Sequence, residues 1–114
     1  MEILYRLKNM KIKRSLKFFY QRLTRGWDDS ETWNLEAELA RHILPRLKRF
    51  KQLNNGYPDS LTPEAWDEIL EKMIYAFNFR AANMDQQMDA LAETHERVQK
   101  GLELFGKYYC HLWW

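Results

Sequence analysis

The sequence has few of the residues that cross-link a chain or break up its helices. Its 114 residues include one cysteine, three prolines and four glycines. Because Cys110 has no second cysteine to pair with, an intramolecular disulfide is excluded, and a reducing, cytoplasmic location is favoured. So few prolines and glycines provide too little turn chemistry for the many short strands of a sandwich or a barrel. The composition therefore favours helices.

Long apolar runs are also missing. Residues 73–77 form one of the longest, and a membrane-spanning helix needs roughly 18. The basic N-terminus lacks the apolar centre and cleavage site of a secretory signal, so we expect no membrane partner. With 46% hydrophobic and 30% charged residues, the chain has an ordinary globular composition, and we expect one domain over residues 1–114.

Charge is unevenly distributed along the chain. Residues 1–51 hold 13 Lys and Arg against 6 Asp and Glu, whereas residues 52–114 hold 5 against 10. The first half is therefore basic and the second acidic, although the net charge is only +2. A basic half of this kind favours an anionic partner.

The apolar pattern predicts an all-α fold, a compact bundle of about four helices with a long C-terminal helix. The first helix covers about three turns and ends at Gly26. Its apolar positions follow helical spacing: Ile12, Leu16, Phe19, Tyr20 and Leu23. Residues 1–9 fit this pattern less well and are interpreted as a basic extension, extended or frayed, with Met10 as an alternative start.

Capping signals place the next two helices. Asp28 and Glu31 have the spacing of a capping box, which predicts a second helix from there to about residue 54. Pro45 lies inside that helix and predicts a kink or a break, because proline lacks a backbone donor. Residues 54–60 have turn chemistry. Thr62 as N-cap and Pro63 at the first helical position then predict the start of a third helix.

The last predicted helix runs from about residue 87 to 112 after a turn or bend. Its apolar residues recur at steps of three and four, a heptad-like seam that includes His95, expected to be a hydrogen-bonded core or interface residue. A continuous helix of that length, roughly 39 Å, favours pairing with a second copy, so we expect a homo-oligomer. The aromatic end of the chain, residues 108–114, is expected to dock on its own core or on a partner.

Sites for catalysis are scarce. Glu38 and His42 have the spacing of two metal ligands on one helix, but nothing completes the set, so no metal or cofactor is expected. Cys110 and His111 would point in different directions on a helix, and Cys110 is expected to pack. No phosphate loop, nucleophile elbow or zinc-protease motif is present. We therefore expect a protein that binds and does not catalyse.

Basic and aromatic residues occur together in two places, at the end of the first helix and in the second half of the second helix. Arg and Lys bind phosphate and aromatic rings stack on bases, so these residues predict a site for a nucleotide-like anion. The plainer interpretation is a solvated basic face beside core tryptophans. The candidate ligand-binding residues are Arg25, Trp27, Trp33, Arg46, Lys48, Arg49 and Tyr57.

Three stretches resemble small proteins of unknown function encoded by bacteriophages and prophages. They are Gln21–Trp33, Ile43–Phe50 and the ending Gly101–Tyr108 with Leu112, Trp113 and Trp114; with Trp66–Phe79 they cover most of the chain. The resemblance implies an accessory protein in a bacterial host cell that acts by binding. No catalytic or binding residue follows from it, because that family has no assigned activity.

Three functional hypotheses remain open. The first is an oligomeric protein that sequesters a nucleotide-like immune signal of the host, an anti-defence function. The second is a protein-interaction module that binds a host or phage protein through the C-terminal helix or the aromatic end. The third is non-specific nucleic-acid binding through the basic half, which would weaken steeply with salt.

Overall fold

The structure, a computed structural model, describes residues 2–53 and 56–113. Throughout these residues the fold is all-α without a strand, as the sequence predicts. The helices are α1 (Glu2–Arg25), α2 (Leu35–Leu53), α3 (Pro63–Ala81), α4 (Met84–Met88) and α5 (Ala92–Lys107), with 3-10 turns at Asp29–Thr32 and Tyr109–His111. The chain divides into two compact units, Met1–Leu35 and Glu36–Trp114. One domain over the whole chain stays a prediction.

The first unit consists of α1 and the 3-10 turn that follows it. α1 begins at Glu2, so residues 2–9 are helical and not an extended segment. They contain no Gly or Pro and are rich in Leu, Arg and Lys, which favour helix. Gly26 ends the helix as predicted, with φ of +86° and its N–H donating to the Arg22 carbonyl at 3.0 Å. Met1 lies outside the described residues.

The predicted capping box is confirmed, but it starts the 3-10 turn and not α2. Asp28 accepts a hydrogen bond from the Ser30 N–H at 2.8 Å, and Glu31 accepts one from the Asp28 N–H at 2.7 Å. α2 begins four residues later, at Leu35. The capping box therefore stabilises the turn that follows α1.

The second unit is a bundle in which α2, α3 and α5 share one apolar core. α2 is continuous through Pro45, so the predicted break is wrong. Ala40 and Leu47, on either side of Pro45, are both buried in the same core. Asn54 and Asn55 of the predicted loop lie outside the described residues, and residues 56–60 are irregular as predicted.

α3 is the central helix of the second unit and starts where the sequence predicts. Thr62 accepts a hydrogen bond from the Ala65 N–H at 3.1 Å, and Pro63 is the first helical residue. The inner face of α3 is apolar and buries Leu70 and Phe77, with Trp66 and Met73 fully enclosed. Each such side chain contributes roughly 1.5–3 kcal/mol through the removal of apolar surface from water.

Ion pairs near the two ends of α2 show that α2 and α3 run antiparallel. At one end Lys51 lies 3.0 Å from Glu71 and 3.3 Å from Asp67, and at the other Arg80 lies 3.3 Å from Glu36. The hydrogen bonds that Lys51 donates to these two carboxylates, the one to Glu71 most of all, raise the pKa of Lys51. Pairs as exposed as these add less than about 1 kcal/mol each, but they fix the register of the two helices.

α5 packs antiparallel on α3 with a close backbone approach at Gly101. A Cβ at that position would lie 2.3 Å from the Lys72 carbonyl oxygen and 2.6 Å from the Ala76 Cβ. Trp66 meets Tyr108 edge-on, with ring centroids 5.6 Å apart, near one end of the pair. Because Gly101 has no side chain, the backbones of α3 and α5 lie close together at this position.

The long C-terminal helix is confirmed, but its bounds are narrower than residues 87–112. Asn83 caps the separate helix α4, and the Gln87 side chain donates to the Ala82 carbonyl at 2.8 Å. α4 is thereby tied to the end of α3, and α5 starts anew after Leu91. His95 is exposed and not in the core, with its ring against the edge of Phe79.

Candidate functional site

The candidate residues of the first unit are used in contacts within that unit. The Arg25 guanidinium stacks over the Trp27 ring at 3.8 Å from the centroid and lies 2.6 Å from Asp29. Trp33 packs edge-on against Phe18, with ring centroids 5.6 Å apart. The predicted pairing of a basic and an aromatic side chain is present, but Arg25 already has an internal carboxylate in the place of a phosphate.

Asp28 and Asp29 form an acidic clasp on one side of α1. Asp28 is only 3% exposed and pairs with Arg22, while Asp29 accepts from Gln21 at 2.8 Å and pairs with Arg25. The hydrogen bond from Ser30, followed by that from Arg22, lowers the pKa of Asp28. The hydrogen bonds from Gln21 and then Arg25 lower the pKa of Asp29 to about 2. The clasp therefore neutralises part of the basic charge of α1.

The opposite side of α1 carries an apolar stripe that we call the outer stripe. Its four members are separated by steps of four, three and four residues. They are Ile12 (49% exposed), Leu16 (63%), Phe19 (54%) and Leu23 (70%). The residues that contact the clasp or Trp33 come from the other side of the helix: Arg14, Lys17, Phe18, Gln21, Arg22 and Arg25. Among the described residues of the first unit, the outer stripe is therefore an exposed apolar surface.

Two lysines border the outer stripe, one on each side. At about 100° per residue, Lys8 lies one turn before Ile12 and about 40° to one side of it, and Lys13 lies about 100° to the other side, beyond Leu16. Both side chains are exposed, and neither forms an ion pair within the described part of the chain. The stripe is thus a narrow apolar seam with cationic borders.

The candidate residues of the second unit are spread over separate places. Arg46 borders a shallow apolar groove of about 230 Å³ between α2 and α5 and donates to the His42 carbonyl at 2.8 Å. Lys48 borders a different groove, of about 330 Å³, where Arg97 stacks on Tyr75 at 3.7 Å. Arg49 lies 3.4 Å from the Gln52 side chain. Positions 46 and 48 are about 200° apart on a helix, so one ligand does not reach both.

Tyr57 lines a groove of about 670 Å³ in the second unit. Its other walls include Asp59, His111 and Trp113. Tyr57 and Trp113 are both exposed, so the groove offers two aromatic surfaces and an imidazole. None of the other six predicted ligand-binding residues lines it.

The aromatic end of the chain is only partly docked. Tyr108 meets the buried Trp66, and Leu112 packs against the core, as predicted for docking on its own unit. Tyr109 and Trp113 are exposed, and Trp114 lies outside the described residues. Cys110 is also exposed, so the prediction that it packs is wrong.

Only the middle of the seam predicted on the C-terminal helix is buried in the second unit, whereas Met88, Leu91 and Tyr109 are exposed. Val98 is fully buried and Leu102 packs against the core cluster, so these positions face α3 and its neighbours. Sequence reasoning instead missed the outer stripe of α1 as a functional candidate. The signal was present in the four-three-four spacing of Ile12 to Leu23, but exposure is a property of the fold.

No protein-family model, curated protein or solved structure matches this chain. The resemblance to phage-encoded proteins therefore stays a prediction. Among the described residues, no helix is both long and apolar enough to span a bilayer. The described residues also contain no group of three or more His, Cys, Asp or Glu side chains that could hold a metal ion.

Proposed function

We propose that this protein is a non-enzymatic protein-interaction module whose outer stripe binds an amphipathic helix. One observation carries the proposal: four large apolar side chains lie in line on α1, 49% to 70% exposed, while Lys17, Arg22 and Arg25 are paired with Asp28 or Asp29. Contiguous apolar surface of this kind marks an interaction site. The spacing is that of a helix seam in a coiled coil.

The structure favours a helix over a nucleic acid, an anionic partner that the basic half suggests. Lys17, Arg22 and Arg25 already face carboxylates, which lowers the positive potential available to a nucleic-acid backbone. Non-specific nucleic-acid binding stays a prediction. The outer stripe is also narrow, whereas helices that lie on membranes present a broad apolar face.

A designed peptide tests the proposal. It has about three heptads, with apolar residues at the seam positions and Gln at the flanking positions, so that it carries no flanking charge. We expect saturable binding to the full chain, measured by fluorescence anisotropy, and about tenfold or greater weakening by Leu16→Gln or Phe19→Gln.

The matched control is Met10→Gln, which removes an exposed apolar side chain of the same helix outside the stripe. It should leave the affinity unchanged, and far-UV circular dichroism should show that all variants keep their helix content. Equal affinity across the wild type and the stripe variants would exclude the outer stripe as the binding surface.

A second candidate function is binding of a nucleotide-like ligand in the groove beside Tyr57. Its volume of about 670 Å³ lies in the usual range for small-molecule sites, and Tyr57 and Trp113 offer surfaces for a base. We expect adenosine monophosphate to quench tryptophan fluorescence in the wild type but not in Trp113→Leu. Loss of binding in Leu16→Gln instead would place the ligand elsewhere.

A further inference from the structure

The charges beside the outer stripe identify the chemistry of its partner. We propose that the stripe binds a helix of another protein whose apolar seam is flanked by Asp and Glu, a proposal that rests on the function proposed above. Lys8 and Lys13 border the stripe on its two sides, exposed and without an ion-pair partner in the described residues. In a helix pair these bordering positions face the flanking residues of the other helix.

A second copy of α1 is a poor occupant of the stripe. In parallel pairing Lys8 would approach Lys13 of the other copy, and in antiparallel pairing like positions would face each other. Parallel pairing therefore brings lysines together, and an antiparallel pair whose stripes overlap fully gains no opposite charges, because Lys13 would face Tyr20 and Ser15 would face Arg22. Like charges across a pairing interface disfavour it, whereas carboxylates at the same places would be attracted.

The acidic residues of the partner should be concentrated opposite the N-terminal half of the stripe. Lys8 and Lys13 border that half, whereas Ser15 and Tyr20 occupy the corresponding bordering positions further along, and Arg22 after them is paired with Asp28. Asn9 continues the seam one step before Ile12 and is half-buried. A polar residue at a single seam position fixes register, so a polar side chain in the partner should lie opposite Asn9.

A charge-exchange experiment tests this inference. Three peptides share the same apolar seam and carry Glu, Gln or Lys at every flanking position, and each is titrated into the full chain at low and high salt. We expect the Glu peptide to bind about tenfold more tightly than the Lys peptide at low salt, with the difference shrinking as salt rises.

Reversing the two bordering charges should reverse the preference. The double variant Lys8→Glu/Lys13→Glu should favour the Lys peptide over the Glu peptide. Lys11→Glu is the matched control, since it changes an exposed lysine outside the stripe border, and it should keep the preference for the Glu peptide. Far-UV circular dichroism checks the helix content of each variant.

The possible outcomes separate this inference from the function on which it rests. Equal affinity for all three peptides, lost in Leu16→Gln, would keep the proposed function and overturn the acidic partner. Absence of binding by any peptide would overturn both. If the wild type self-associates and Leu16→Gln abolishes this, a second copy is the occupant of the stripe. If the stripe binds only anionic phosphatidylserine vesicles, the occupant is a lipid surface. Either result overturns the inference.

Discussion

Asp28 and Asp29 determine which side of α1 is free to act. Asp28 is buried, caps the turn and pairs with Arg22, and Asp29 accepts from Gln21 and pairs with Arg25. Arg25 and Trp27 were predicted as a ligand-binding pair because a guanidinium and an indole lie close in sequence. They do stack, but the two neighbouring carboxylates compete with any anionic ligand for the arginines.

The clasp should respond to acid in a defined range of pH. A carboxyl group with a lowered pKa in the folded state stabilises that state above its unfolded pKa, and this stabilisation is lost as pH falls through the folded value. For Asp29 the range runs from the ordinary value of 3.8 down to about 2. The clasp should therefore be intact at pH 5 and open as pH approaches 2.

Nuclear magnetic resonance of the side-chain carboxyl carbons measures this directly. We expect Asp29 to titrate near pH 2, and Asp28 also below the ordinary value, while Gln21→Ala should move the Asp29 midpoint upward. A midpoint for Asp29 at the ordinary value in the wild type would show that the clasp does not form in solution.

The elements with strong end signals were the ones that the sequence predicted well. Gly26 ends α1 and Thr62 with Pro63 starts α3, because each has a backbone or side-chain property that the position requires. The C-terminal helix was predicted too long because apolar spacing reports which side of a helix is buried, not whether the helix is continuous. Residues 89–91 separate α4 from α5, and a 3-10 turn at Tyr109–His111 follows the end of α5.

The contact between α3 and α5 depends on the missing side chain at Gly101. Gly101→Ala should destabilise the second unit by about 1–3 kcal/mol, because the added methyl overlaps the Lys72 carbonyl and cannot be relieved by a side-chain rotation. Urea unfolding of the full chain measures the change. The intrinsic helix preference for Ala, roughly 1 kcal/mol, acts in the opposite direction and is already included.

Gly106→Ala is the matched control in the same helix. No atom lies within 4 Å of a Cβ placed there, so this variant should be stabilised by up to about 1 kcal/mol. A Gly101→Ala protein as stable as the Gly106→Ala protein would show that the close approach of α3 and α5 is absent.

At the scale of the whole molecule, the segregated charge has different meanings in the two halves. In the basic half, Arg22 and Arg25 of α1 are held by Asp28 and Asp29, while Lys8 and Lys13 border the outer stripe. In the acidic half, some carboxylates of α3 pair with Lys51 of α2. Net charge by segment indicates an anionic partner, but only the side of α1 on which each cation lies indicates what kind.

The predicted site could be recovered only in part from the sequence. The residue types were right for anion binding, but Arg46, Lys48 and Tyr57 border three different grooves of the second unit. Spacing along a helix gives the angle between neighbours, so the separation of Arg46 from Lys48 was predictable. The position of Tyr57 depends on the loop and the C-terminal turn, whose packing no local pattern specifies.

The most direct test of the central claim is a ¹H–¹⁵N chemical-shift map of the full chain titrated with the Glu-flanked peptide. Shifts concentrated at the amides of residues 8–23, absent in Leu16→Gln and unchanged in Met10→Gln, are the predicted result. Shifts confined to residues 56–60 and 109–113, or none at saturating peptide, would contradict a binding function for the outer stripe.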